Sequence, residues 1–437
     1  MTNNNQKIFK GYWWRPSEPD KKAAGVLTFT SGKSIVLELI GDFDKDAGID
    51  LDEIFSDHCE SVIHGLDSDA KEITLLNCRR SINVNFSVDF PIITYYAALV
   101  VYDKHVSSLD EKCRYRVVAE FPELSLWCPP EAITQTIHRD NGKIVAHTFT
   151  LPCISGGKTI NESELGNGVT LSLKSVTSFR YKDSGCGVEL GEYTILEITS
   201  KFEMSIDEIL KLIRRFEKFL SLVSKHKTVH ERIYLQDDFN FQDIGNGDKI
   251  YFPIDLFMID IPDENPVKNK AQFLFRYTDV AGNFPAIMRR WMTDDELLPI
   301  ESILVDSIPF SRVFKTTDSL SVVQGIEGVW WRFREECYKK KNGISKNSTT
   351  PLATVIKELQ QEFSFIPSVA SSVIDCEAVR DSRHYYSHLM AKDKKPKALE
   401  GLALFDLSES LKTILICCVL RLLGLNDEQI SKTIGES

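Results

Sequence analysis

The chain has 437 residues, 43% of them hydrophobic and 26% charged, with a net charge of −11. That is enough apolar material for two or three domains and more than one core. The acidic balance argues against a nonspecific nucleic-acid coat or a membrane-surface protein, though a local basic patch remains compatible with it. The ten cysteines are scattered with no CxxC spacing, so neither a zinc site nor a redox motif is signalled. The first residues, Met1-Thr2-Asn3-Asn4-Asn5-Gln6-Lys7, lack the apolar core of a signal peptide, and the expected compartment is the cytoplasm. The most apolar stretch, 411–425, carries Lys412 and Arg421 and reads as a buried helix, with no membrane expected as a partner.

In chain order, the first 200 residues read as strands. Runs 25–30 and 34–40 flank a turn at Ser31-Gly32-Lys33, which is a hairpin pattern. Further strand-like runs are 72–78, 84–90, 93–102, 115–121, 169–176 and 193–200. Gly, Pro, Asn and Asp punctuate the gaps, and this spacing predicts a sandwich or barrel-like β region. Trp13 and Trp14 are assigned to its core, because large aromatics are mostly buried. Ser184-Gly185-Cys186-Gly187 reads as a turn between strands, with no base nearby to make a nucleophile.

The pattern changes at Ser205. Ser205 with Glu208 predicts a capping box, and the apolar stripe through Ile206, Ile209, Ile213, Phe216, Leu220 and Val223 predicts an amphipathic helix. Strand-like patterns return over 230–265, and helix dominates from about 268. The last block, about 305–435, predicts an all-α bundle of four or five helices. One spans 318–340 and holds Trp330-Trp331; another starts near Thr350-Pro351 and runs to 363; another runs from 402 to 423 and stops at Gly424. The fold class is therefore α+β: a β-rich region over 1–300, with added helices, followed by a helical bundle over 305–437.

Between the last two of these helices lies Arg380-Asp381-Ser382-Arg383-His384-Tyr385-Tyr386-Ser387-His388. At 100° per residue Arg380, Arg383, His384, Ser387 and His388 fall within an arc of roughly 140°. Arginine is a permanent cation that grips phosphate through two hydrogen bonds, and histidine exchanges protons near neutral pH. Together they suffice to cut RNA without a metal: a base activates the 2′-OH and a cation steadies the growing charge on phosphorus. Taken alone, the spacing is better read as a polar helix face.

The context of that motif adds a resemblance. Arg383, a polar His384, three more residues and His388, set in a helical bundle, resemble the motif of HEPN RNase domains. The opening Phe9-Lys10-Gly11-Tyr12-Trp13-Trp14-Arg15-Pro16, with Gly25-Val26-Leu27-Thr28-Phe29, resembles the start of the ApeA N-terminal domain. Together they cover nearly the whole chain and are similar to ApeA-like anti-phage proteins. The position after Arg is often Asn in that motif; here it is His384.

The resemblance implies a metal-independent endoribonuclease acting by abortive infection. It implies a site shared across a homodimer or higher homo-oligomer of the helical domain. Arg383 and His388 would be catalytic. His384, Arg380, Ser387, Glu327, Lys392 and Lys394 would support the site or bind RNA, with no metal and no cofactor. The expected partners are an RNA substrate, transfer RNA being the natural candidate, and a phage protein as trigger. Tyr385 and Tyr386 are expected to pack more than to stack on bases, and Lys392, Lys394, Lys395 and Lys397 with Lys339 to Lys341 read as solvated charge more than as a basic rim. His226 and His230, four residues apart, have no third ligand in sequence to make a metal site. No phosphate-binding Gly-rich loop is present. The competing reading is a non-catalytic sensor or scaffold that uses the bundle to dimerise.

Overall fold

The computed structural model describes residues 6–41, 43, 59–81, 85–86, 91–150, 157–181, 187–238, 240–245, 248–260, 273–307 and 314–435. The strand run expected at 84–90 lies outside them except for Asn85–Phe86, and Ser184, Gly185 and Cys186 lie outside as well.

The β-rich region begins as a closed six-stranded barrel. Around it run Glu72–Arg80, Cys59–Asp67, Gln6–Trp14, Ala23–Thr30, Ser34–Ile40 and Pro91–Tyr96, and Tyr96 pairs back to Arg79 to close the ring. The alternation of Leu27, Ile35, Leu37 and Leu39 turns one face of each strand inward, where they are fully buried with Trp13 and Tyr95. Trp13 pairs in register with Gly65, and a Cβ on Gly65 would stand 2.3 Å from the indole ring. The barrel therefore needs glycine at that position for the tryptophan to lie flat on the neighbouring strand. Trp13 and Trp14 are both buried, as their size predicts.

Strand Glu72–Arg80 pairs on its other edge with Leu99–Tyr102 and so leads out of the barrel into an open antiparallel sheet. That sheet continues through Ile254–Met258, Arg232–Asp237, Tyr115–Glu120, Val188–Ser200, Val169–Tyr181 and Lys158–Gly166. The single strand expected over 93–102 is two strands. Ala97 and Ala98 donate to Ile35 O and Leu76 O, and at this point the chain leaves one partner strand for another. The sequence run cannot reveal such a change of partner, because both halves carry strand-forming residues without a Gly or Pro between them.

The inner face of the open sheet is covered by helix Ile206–Ser224. Its N-terminus has the expected capping box: Ser205 Oγ accepts from Glu208 N and Glu208 Oε2 accepts from Ser205 N. Phe216 and Phe219 of this helix sit in an aromatic cluster with Trp127, Phe275, Phe284 and Trp291. On its far side, the buried Arg215 guanidinium donates to Glu301 Oε1 at 2.9 Å and to the carbonyls of Met292 (3.1 Å) and Asp294 (2.5 Å). Those contacts fasten helices Phe284–Thr293 and Leu298–Ser307 to the central helix.

The C-terminal bundle follows. Thr316–Val329 runs through a π-helical turn at Trp330–Arg334 into Glu335–Asn342, so the expected 318–340 helix is one rod with a bulge. Leu352–Glu362, Pro367–Ser371, Cys376–His388, Gly401–Leu422 and Asp427–Gly435 complete it. Pro351 stands just before the 352–362 helix instead of at its first helical position, and Gly424 (φ +93°) follows the end of the 401–422 helix, as expected. Apolar side chains form a continuous cluster from Val62 and Leu76 in the sheet, through the central helix, to Ile430 near the end of the chain. No helix among the described residues is long and apolar enough to cross a membrane.

Phe219→Ala should lower unfolding stability by about 3–5 kcal/mol, since it empties the centre of the aromatic cluster. A urea titration measures this, and a loss under about 1 kcal/mol would mean that the cluster does not join the sheet to the helices.

Candidate functional site

Helix Cys376–His388 starts at Asp375, whose Oδ1 accepts from the amides of Glu377 (2.8 Å) and Ala378 (3.2 Å). Ala378, Val379, Asp381 and Ser382 face inward and are buried. The helix packs on Thr316–Val329 and Leu352–Glu362. It ends at His388, two residues short of the continuation through Met390 that the absence of Gly and Pro allows, because Leu389 adopts a left-handed conformation (φ +49°).

Inward packing turns the charged residues toward the opposite side, but each has its own partner. Arg383 is about one-third exposed, and its Nη2 lies 2.9 Å from Oε2 of Glu327, a carboxylate buried on helix Thr316–Val329. Burial raises the Glu327 pKa above the usual carboxylate value, and Arg383 pulls it the other way. The sequence left open whether Glu327 is a partly exposed surface acid; it is buried and faces Arg383.

His384 and His388 stand one turn apart, with ring centroids 5.8 Å apart. Lys395 Nζ lies 3.0 Å from His384 Nδ1. An ammonium only donates, so Nδ1 is the acceptor and the proton of the neutral ring sits on Nε2. The His384 pKa is lowered, first by burial and then by the charges of Lys395 and Arg383. His388 is exposed at the end of the helix.

The remaining predicted residues are less central. Arg380 folds back on its neighbour Asp381, with Nε and Nη2 at 3.1 and 3.0 Å from Oδ1. Ser387 Oγ donates to Arg383 O within the helix. Lys392 is held by Ala398 O (2.5 Å) and Glu400 (2.6 Å), with its ammonium 5.3 Å from the Tyr385 ring centroid. Lys394 is exposed on the short turn Lys392–Lys394. Tyr386 anchors the same loop by donating to Leu399 O at 3.0 Å, a packing role as expected. Lys339 does not extend a basic rim: it is buried and pairs with Glu335 at 3.1 Å. Sequence reading gave no role to Asp381 and counted Lys395 only among the lysines of a basic rim, because only the fold of the 391–400 loop brings Lys395 to both His384 and Asp381.

Residues 8–291 match the family described as ApeA N-terminal domain 1, and residues 320–429 match the one described as Apea-like HEPN. The chain belongs to the ApeA family. Its two matched regions are those of an anti-phage effector of the HEPN type, and HEPN domains are in general nucleases. No curated protein and no solved structure matches the chain.

Elsewhere in this ApeA-family chain, His230 acquires carboxylate neighbours that its spacing from His226 did not suggest. Its Nδ1 lies 2.7 Å from Glu217 and 3.5 Å from Asp260. Arg214 pairs with both carboxylates, at 3.0 and 2.5 Å, so a side chain of the protein already supplies positive charge there.

Lys395→Met should raise the His384 pKa toward about 6.5, because it removes the neighbouring cation and keeps the apolar stem. The depressed value means that the unfolded chain binds more protons than the folded one below about pH 6.5, so stability falls as pH drops through that window. The variant should lose less stability on acidification. An NMR titration of the histidine ring protons checks this; an unmoved His384 midpoint would show that Lys395 does not reach it.

Proposed function

We propose that this chain is a metal-independent HEPN endoribonuclease that defends against phage by abortive infection. The observation that carries the reading is the placement of Arg383, His384 and His388 on the last turns of one helix, with a buried carboxylate steadying the arginine.

In this reading His388 is the proton-transfer group. His384 has its Nδ1 lone pair engaged by Lys395 and serves as an Nε2–H donor to substrate, whereas exposed His388 is available as base. Glu327 orients Arg383 through one nitrogen, and the rest of the guanidinium fork meets the scissile phosphate. His388 takes the proton from the ribose 2′-OH, O2′ attacks phosphorus, and the bond to O5′ breaks. The products are a 2′,3′-cyclic phosphate and a 5′-OH. The leaving O5′ takes a proton from a second imidazole.

That second imidazole is supplied by another copy of the chain, in a two-fold arrangement of motif helices. Exposed apolar residues support an interface here: Val373 is 97% exposed and Leu389 88%, and the two flank the motif helix in sequence. The N-terminal region restrains the enzyme and responds to a phage protein. Transfer RNA is the proposed substrate, because an acidic enzyme needs a shaped and abundant target more than a bare charged strand.

His388→Ala should abolish both protection against phage and RNA cleavage while the melting temperature stays within a few degrees. Arg383→Lys should also fail, because lysine keeps the charge and loses the fork. Parent-like cleavage by His388→Ala would remove the assignment. Cleavage should persist in excess EDTA; activity lost there and restored by magnesium would contradict metal independence. Adding an excess of His388→Ala chain to the parent should lower cleavage below what dilution alone gives, because every mixed pair lacks one of the two imidazoles. An active species that stays monomeric in light scattering would rule out the shared site.

A further inference from the structure

On the outer face of the open sheet, opposite the central helix, a second site is built from residues that the RNase reading does not use. The register brings Arg116 beside Gln236 on strands Tyr115–Glu120 and Arg232–Asp237. Tyr193 and Tyr234 project to the same face from Val188–Ser200 and Arg232–Asp237, and hairpin Phe241–Gly245 with Asp248–Tyr251 brings Lys249 and Tyr251 over it. Together they line a cavity of about 350 Å³, within the ~300–1,000 Å³ of small-molecule sites.

Three features of this cavity specify a ligand. No carboxylate lines it among the described residues, although the chain carries a net charge of −11. Behind the lining, Glu197 is paired by Arg116 and Lys174, and Glu192 accepts from Ala132 N and Ser175 Oγ, so the positive charge facing the cavity comes chiefly from Lys249 and Lys158. The cavity is therefore locally cationic and selects an anion. Three tyrosines offer flat faces and hydroxyl donors; burial pushes the Tyr234 pKa up to about 12, so that hydroxyl keeps its proton. Last, Gln236 Oε1 is buried without a hydrogen-bond partner. An orphaned acceptor costs about 1–3 kcal/mol, and an amino or amide N–H of a ligand would satisfy it.

An anion, a planar ring and an N–H donor within one small volume describe a nucleotide. We infer that this cavity binds a nucleoside monophosphate unit, either free or at the end of an RNA strand, separately from the Arg383–His388 site. Lys249 and Arg116 meet the phosphate, the tyrosines stack on or bond to the base and ribose, and Gln236 accepts from the base.

The full chain is titrated with the four ribonucleoside 5′-monophosphates, with inorganic phosphate alone and with a short single-stranded RNA, read by calorimetry. At least one monophosphate should saturate a single site and bind at least tenfold more tightly than phosphate. Lys249→Glu should weaken it at least tenfold, and Gln236→Leu should weaken it while leaving the melting temperature unchanged or raised. If the short RNA competes for the same site, the unit comes from a strand end; if it is excluded, from a free nucleotide. Absence of saturation by every monophosphate at millimolar concentration, or equal binding by Lys249→Glu and the parent, overturns the site. His388→Ala should bind the monophosphate as the parent does; loss of binding in that variant would place the nucleotide at the helical motif and refute the inference.

Discussion

Helix Ile206–Ser224 must be buried on nearly every side, and the rest of the architecture follows from how that is achieved. Its apolar stripe lies on the open sheet, while Phe216 and Phe219 reach into aromatic rings contributed by segments before and after it. A helix buried this deeply cannot leave a cation unpaired. Arg215 is tolerated because Glu301 and two backbone carbonyls receive it. The pairing also fixes where helices Phe284–Thr293 and Leu298–Ser307 lie, and these lead directly into the HEPN bundle. Sheet and bundle thus share one apolar core, and a displacement in the sheet has packed side chains through which to reach the motif helix.

The candidate catalytic face is polar, yet it is organised by buried groups. Glu327 and Asp381 are almost wholly enclosed, and they hold Arg383 and Arg380. Lys395, from the following loop, sets the tautomer of His384. A buried carboxylate that faces a guanidinium restricts the side chain to one direction, a benefit that surface ion pairs of this kind rarely bring.

Much of this was legible in the chain itself. The capping box at Ser205 and Glu208, the stop at Gly424, the core placement of Trp13 and Trp14, and the sequence of β region then bundle follow from local rules: side-chain oxygens that satisfy orphaned amides, glycine at positive φ, and apolar periodicity. The motif Arg383–His388 was legible as a polar helix face, and the family of the chain as a resemblance at its opening and at that motif. Less legible was the ending of the motif helix at His388, since no glycine or proline announces the left-handed Leu389.

What the sequence alone determined was therefore the kind of each element and the chemistry available on it. Pairing between distant strands was decided only by the tertiary structure. The closure of the barrel through Tyr96 and Arg79, and the change of partner at Ala97 and Ala98, depend on which edges meet, and a run of strand-forming residues carries no record of that. The same holds for Glu327 with Arg383, for Lys395 with His384, and for His230 with Glu217 and Asp260. Each pair joins residues that no periodicity relates, and each exists because packing withdrew one member from water and left a neighbouring charge or hydrogen bond as its compensation.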